Sequence, residues 1–160
     1  MTPQELLQRA MKLHQAGHFA EAEPLYAQAL EQAPGNYPAL HLLGLMRLQQ
    51  GGLPEALALM EQALKVEPGQ PDTMANVAIV LSGLGRHEEA IEAFQNVIRL
   101  RPADAAAYVS LGGHLHETGR TEDAIAAFRH GIALNPEIAQ AHANLGEVMQ
   151  RLDRSEEAAA

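Results

Sequence analysis

Residues 71–104 read PDTMANVAIVLSGLGRHEEAIEAFQNVIRLRPAD, and this stretch decides the fold. Met74, Val77, Ala78 and Leu81 fall at i, i+3, i+4 and i+7, the spacing of one helix face. Gly83-Leu84-Gly85 interrupts the pattern. Ala90, Ile91, Phe94, Val97 and Ile98 then resume the same spacing until Pro102, which cannot continue a helix. Two helices joined by a glycine turn are predicted.

The same unit recurs along the chain. Pro34, Pro68, Pro102 and Pro136 stand 34 residues apart. With each proline at position 32, the chain divides into 3–36, 37–70, 71–104, 105–138 and an incomplete 139–160, read as a single array. Position 8 is Ala10, Gly44, Ala78, Gly112 and Gly146, and position 20 is Ala22, Ala56, Ala90, Ala124 and Ala158. Position 24 is Tyr26, Met60, Phe94 and Phe128, while position 27 is Ala29, Ala63, Val97 and Gly131. Small residues at helix crossings, with one large residue to fill the hole, are what close antiparallel packing requires. Glycine at position 15 (Gly17, Gly51, Gly85, Gly119) suits a left-handed C-terminal cap, and Asp153 takes that place in the fifth unit. Thr121 and Ser155, each followed by two acids, are expected to cap second helices, and Asn36, Asp72 and Asp104 to open first helices. Ten helices are expected, the last one short. Units of this size cannot bury their apolar face alone and must stack, so the predicted fold is all-α, a superhelical solenoid of antiparallel pairs.

Composition narrows function by exclusion. A formal charge of −9 with two lysines, Lys12 and Lys65, repels a phosphate backbone, so nucleic acid is disfavoured as a partner. Without cysteine there is no disulfide framework, thiolate metal site or cysteine nucleophile. No run of eighteen apolar residues and no signal-peptide pattern occurs, which reads as a cytoplasmic chain without a membrane span. The eight histidines fall on different helices or, like His114 and His116, two residues apart, where they cannot share a helix face as metal ligands do. Gly51-Gly52 and Gly112-Gly113 lack the sequel of a phosphate loop, and no serine sits in a nucleophile elbow. No catalysis, metal or cofactor is expected.

Leu43-Gly44, Ala56, Ala63 and Pro68 in the second unit, with Tyr108, Leu111-Gly112, Ala124, Phe128 and Pro136 in the fourth, resemble the tetratricopeptide repeat. The resemblance covers essentially the whole chain. It departs at position 4, which is never Trp, and at position 11, which is never Tyr. Arg47 at position 11 is the oddest, its stem expected along the core with its head in water. The opening, through Tyr37-Pro38-Ala39-Leu40-His41-Leu42-Leu43-Gly44, is also similar to bacterial chains whose repeats precede a glycosyltransferase of the O-GlcNAc transferase type or a sulfotransferase. That similarity implies a substrate-recruiting arm with its chemistry elsewhere.

The resemblance implies that first helices line a concave side, where ligands meet positions 2, 5, 6, 9, 12 and 13. Those positions hold Leu7, Met11, Leu42, Leu45, Leu48 and Ile79 as an apolar stripe, with His14, Gln15, His41 and Gln49 among them. Asn76, Ser110 and Asn144 follow at position 6, and His116 at position 12. The stripe either receives an amphipathic helix or apolar peptide, or packs on adjacent repeats. Side-chain amides at a repeating spacing either clamp the backbone of an extended peptide or are ordinary solvated residues. Capture of a chaperone C-terminal carboxylate fails because neither Lys12 nor Lys65 falls on these positions and Arg151 is their only arginine. The expected role is a non-catalytic scaffold for a protein or peptide. Chain 139–160 stops inside a repeat, which suggests a piece of a longer protein, and its apolar edge of Leu145, Val148 and Met149 suggests self-association.

Overall fold

The computed structural model describes the backbone of residues 1–159 and the side chains of residues 1–153. The described residues form nine α-helices and no strand. They divide into two compact units, Met1–Leu84 and Gly85–Ala160.

The first unit holds α1 (Pro3–Gln15), α2 (Phe19–Gln32), α3 (Tyr37–Gln49), α4 (Leu53–Val66) and α5 (Pro71–Gly83). Helices α1 and α2 pack as one pair and α3 and α4 as the next, and the first helices α1, α3 and α5 also touch in succession. The second unit holds α6 (His87–Leu100), α7 (Ala105–Glu117), α8 (Thr121–Leu134) and α9 (Ala139–Ala159), with α7 packed on α6, α8 and α9.

The periodic residues explain the pairing. Ala22, Ala56, Ala90 and Ala124 have no exposed surface, and neither do Tyr26 and Met60 at position 24. In the second unit a Cβ on Gly112 would stand 2.7 Å from two ring atoms of Phe128, so only hydrogen lets that ring lie against α7. Gly44 stands to Met60 in the same way, at 2.9 Å. The turns also follow from sequence. Gly17, Gly51, Gly85 and Gly119 take φ of +79°, +80°, +69° and +78°, where a Cβ is disfavoured. At the first of them, Gly17 donates to His14 O and His18 to Leu13 O, the paired bonds that close a helix end.

Four local expectations are overturned. Asp153 does not end a helix: α9 runs through it to Ala159, because no non-glycine residue takes positive φ and without that turn the helix continues. Nine helices therefore replace ten, while the side chains of Ser155, Glu156, Glu157 and Ala158 lie outside the described residues. Asp72 is the second residue of α5 rather than its cap, which is Gln70. Thr121 is already helical, and α8 is preceded by Arg120. Neither Gln70 nor Arg120 makes a side-chain cap bond.

Second helices begin instead with a carboxylate at their third residue, Glu21, Glu55, Glu89 or Asp123, set against the positive helix end. Arg86 donates to both oxygens of Glu89 at 2.6 Å, and Arg120 donates to Asp123 at 3.0 Å. Arg47 is half-buried, and its head meets partners as well as water. Its guanidinium pairs with Glu23 on α2 and donates to Gln50 Oε1 at 3.2 Å.

Candidate functional site on the first-helix face

In the first unit, Met11, His14 and Gln15 from α1 face Leu42, Leu45 and Gln49 from α3 across a cavity of about 420 Å³. Gly17, Phe19 and Tyr26 close its end at the α1–α2 turn. The register sets this arrangement, because positions 9, 12 and 13 of α1 and positions 6, 9 and 13 of α3 project from the same side of adjacent helices.

His14 fixes the wall. Its Nε2–H donates to Gln49 Oε1 at 2.9 Å, which leaves Nδ1 to accept from the Tyr26 hydroxyl at 3.1 Å. The ring also meets Phe19 and Tyr26 edge to face, with centroids 5.5 and 6.0 Å away. Burial pushes the Tyr26 phenol up to about 12, so it stays a neutral donor. One histidine thus ties α1, α2 and α3 together.

Of the sequence-derived residues, Met11, His14, Leu42 and Leu45 share this cavity. Leu7 and Leu42 are half-buried and pack against the core of the first pairs, and Leu42 also borders the cavity. Leu48 and Asn76 are half-buried, and Ile79 is 49% exposed. His41 belongs to a second network. The Tyr37 hydroxyl bonds Thr73 Oγ1 at 2.7 Å, Thr73 bonds His41 Nδ1 at 2.8 Å, and the Tyr37 and His41 rings stack 5.8 Å apart. Burial holds His41 below its usual 6.5, with the Asp72 carboxylate opposing.

In the second unit Ser110 and Asn144 are half-buried, and Asn144 Oδ1 accepts from Gln140 at 2.6 Å. His116 Nε2 accepts from Arg151 at 3.0 Å, which puts its proton on Nδ1, a buried atom without a hydrogen-bond partner among the described residues. Arg151 also holds Glu147 at 2.6 Å. His87 and His114 join through their Nδ1 atoms at 3.0 Å, and His114 stacks on Phe94. Burial first, then the neighbouring His87 charge, lowers the His114 pKa, against Glu117. Sequence reasoning missed this pair because the two histidines are 27 residues apart on different helices. It also missed Phe19, Tyr26 and Gly17 in the cavity: Tyr26 reads as core, and nothing in the repeat marks its hydroxyl.

Among the described residues no cluster of three or more metal-ligating side chains occurs, and no helix is long and apolar enough to cross a membrane.

Sequence models described as tetratricopeptide repeat match residues 13–72, 78–134 and 117–160. No curated protein matches. Among solved structures, MamA 41-end from Desulfovibrio magneticus RS-1 is similar at 22% identity and a TM-score of 0.90, covering 98% of this chain and 89% of that one. YrrB, described as a TPR protein with an unusual peptide-binding site, is similar at 22% identity and a TM-score of 0.86, over 92% of this chain and 76% of its own. The Cut9–Hcn1 hetero-tetramer of the APC/C is similar at 18% identity and a TM-score of 0.78, over 92% of this chain and 30% of that one. Such identities speak for the fold.

Proposed function

We propose, since the chain belongs to the tetratricopeptide repeat family, that it is a non-catalytic interaction scaffold whose first-helix face binds an extended peptide segment of another protein. The observation that carries this reading is the open cavity between α1 and α3, walled by half-buried apolar side chains rather than filled by them. An unfilled apolar recess beside exposed carboxamides offers what a peptide needs: a hole for a side chain and partners for its backbone.

Selection of linear peptides from a displayed random library tests the reading. Binders are expected to lose affinity for the Leu42→Glu/Leu45→Glu variant by at least about tenfold, since each carboxylate would enter an apolar recess without a partner. Because Leu42 also packs against the core of the first pairs, circular dichroism checks the fold, and Leu45→Glu alone, at a position that borders the cavity, should keep full helicity and still lose affinity. Equal binding to both proteins would refute the assignment of the face.

A second reading, self-association through α9, is supported by Met149, 38% exposed beside half-buried Leu145 on that helix. The two readings use different surfaces and do not compete.

A further inference from the structure

The cavity between α1 and α3 has a chemical selectivity of its own. We propose that it takes one uncharged aromatic side chain, carried by an extended partner segment; this rests on the peptide reading above and specifies what enters. Its volume of about 420 Å³ falls in the range of small-molecule pockets and leaves room for an aromatic ring.

Three features of the lining select a ring. Met11, Leu42 and Leu45 supply an apolar wall, and the Met11 thioether is a favourable neighbour for an aromatic edge. His14, Phe19 and Tyr26 already meet edge to face at that wall, so a further ring extends an aromatic cluster in its preferred geometry. The polar atoms within the recess are spent on each other: His14 uses one nitrogen on Tyr26 and the other on Gln49. No carboxylate, ammonium or guanidinium lines the cavity. An ionised side chain entering it would lose much of its water and meet no opposite charge.

The rim supplies the rest. Gln15 and Gln49 are exposed, and Gln49, which accepts from His14 through Oε1, keeps its amide hydrogens for a main-chain carbonyl. The formal charge of −9 favours basic residues on either side of the aromatic one. The inferred occupant is therefore a neutral ring in a segment with cationic flanks.

The test uses the whole chain with ¹³C-labelled methionine methyl groups, titrated at pH 7 with p-cresol and, separately, with benzoate. The expected result is a saturable shift of the Met11 methyl with p-cresol, at least tenfold weaker with benzoate, while the buried Met60 and the α9 residue Met149 stay fixed. Leu45→Trp, which fills the recess from within, should abolish the p-cresol shift; Gln62→Ala, at an exposed position of α4 outside the cavity, should retain it. A Met11 methyl that does not move, moves equally with benzoate, or moves together with Met149 overturns the proposal. If that happens while selected peptides still lose binding to the Leu42→Glu/Leu45→Glu variant, the peptide reading survives without the pocket. If p-cresol seats but no linear peptide is captured, the extended-segment carrier is refuted along with the peptide reading.

Discussion

Two adjacent glycines on α7 separate backbone propensity from packing. Gly112 and Gly113 both lie in the helix interior, so replacing either with alanine should gain about 1 kcal/mol from propensity alone. Their surroundings differ. A Cβ at 113 meets nothing within 4 Å, whereas one at 112 falls 2.7, 2.7 and 3.0 Å from three ring atoms of Phe128. Phe128 is buried, so its ring cannot swing into solvent, and the overlap should cost about 1–3 kcal/mol. Gly113→Ala should therefore stabilise by about 1 kcal/mol, and Gly112→Ala should be neutral to destabilising by about 2 kcal/mol. Because propensity cancels between them, the gap of about 1–3 kcal/mol measures the clash. At about 2–4 °C per kcal/mol for a chain of this size, thermal unfolding by circular dichroism resolves it, with urea midpoints as a check. Phe128→Leu should remove much of the clash, so the two changes combined should be less damaging than their sum by about 1 kcal/mol. Equal stabilisation by both alanines would refute the small-against-large account of the helix crossings.

Two half-buried histidines give stability a pH dependence. His41 and His114 both sit below their usual 6.5 in the folded chain, so the unfolded chain binds their protons more readily. Their contribution is complete above 6.5 and is lost as pH falls through the lowered values. Urea midpoints should thus drop between pH 7.5 and 5.5, and less in His41→Gln/His114→Gln; a wild type that gains stability on acidification contradicts this. Glu5, held low by Thr2, and Glu89, held low by Arg86, titrate below 4.5 and do not enter that window. For α9, sedimentation over a concentration series should show association that Met149→Lys weakens; a monomer at every concentration removes the self-association reading.

Much of this structure is legible in the sequence where one residue type answers one geometric demand. Alanine at position 20 is buried in the four complete units, and glycine at position 15 takes the left-handed turn. Legibility fails where an observed residue can satisfy the demand in more than one way. A threonine before two acids looks like a cap, yet at Thr121 the helix has already begun and the Arg120–Asp123 pair occupies its start. Asp153 looks like a weak stop, but lacking glycine's freedom it stays helical. The site divides along the same line. Register alone brings Met11, His14, Leu42 and Leu45 to one face. The Tyr26 hydroxyl, Phe19 and the His87–His114 contact depend on side-chain directions across different helices, which no periodicity encodes.

The most direct test of the interaction account is an amide chemical-shift map of the whole chain with a selected linear peptide. The account requires the largest shifts on α1 and α3, around Met11, His14, Leu42 and Leu45. Shifts concentrated on the second helices α2 and α4, or on none, would contradict it.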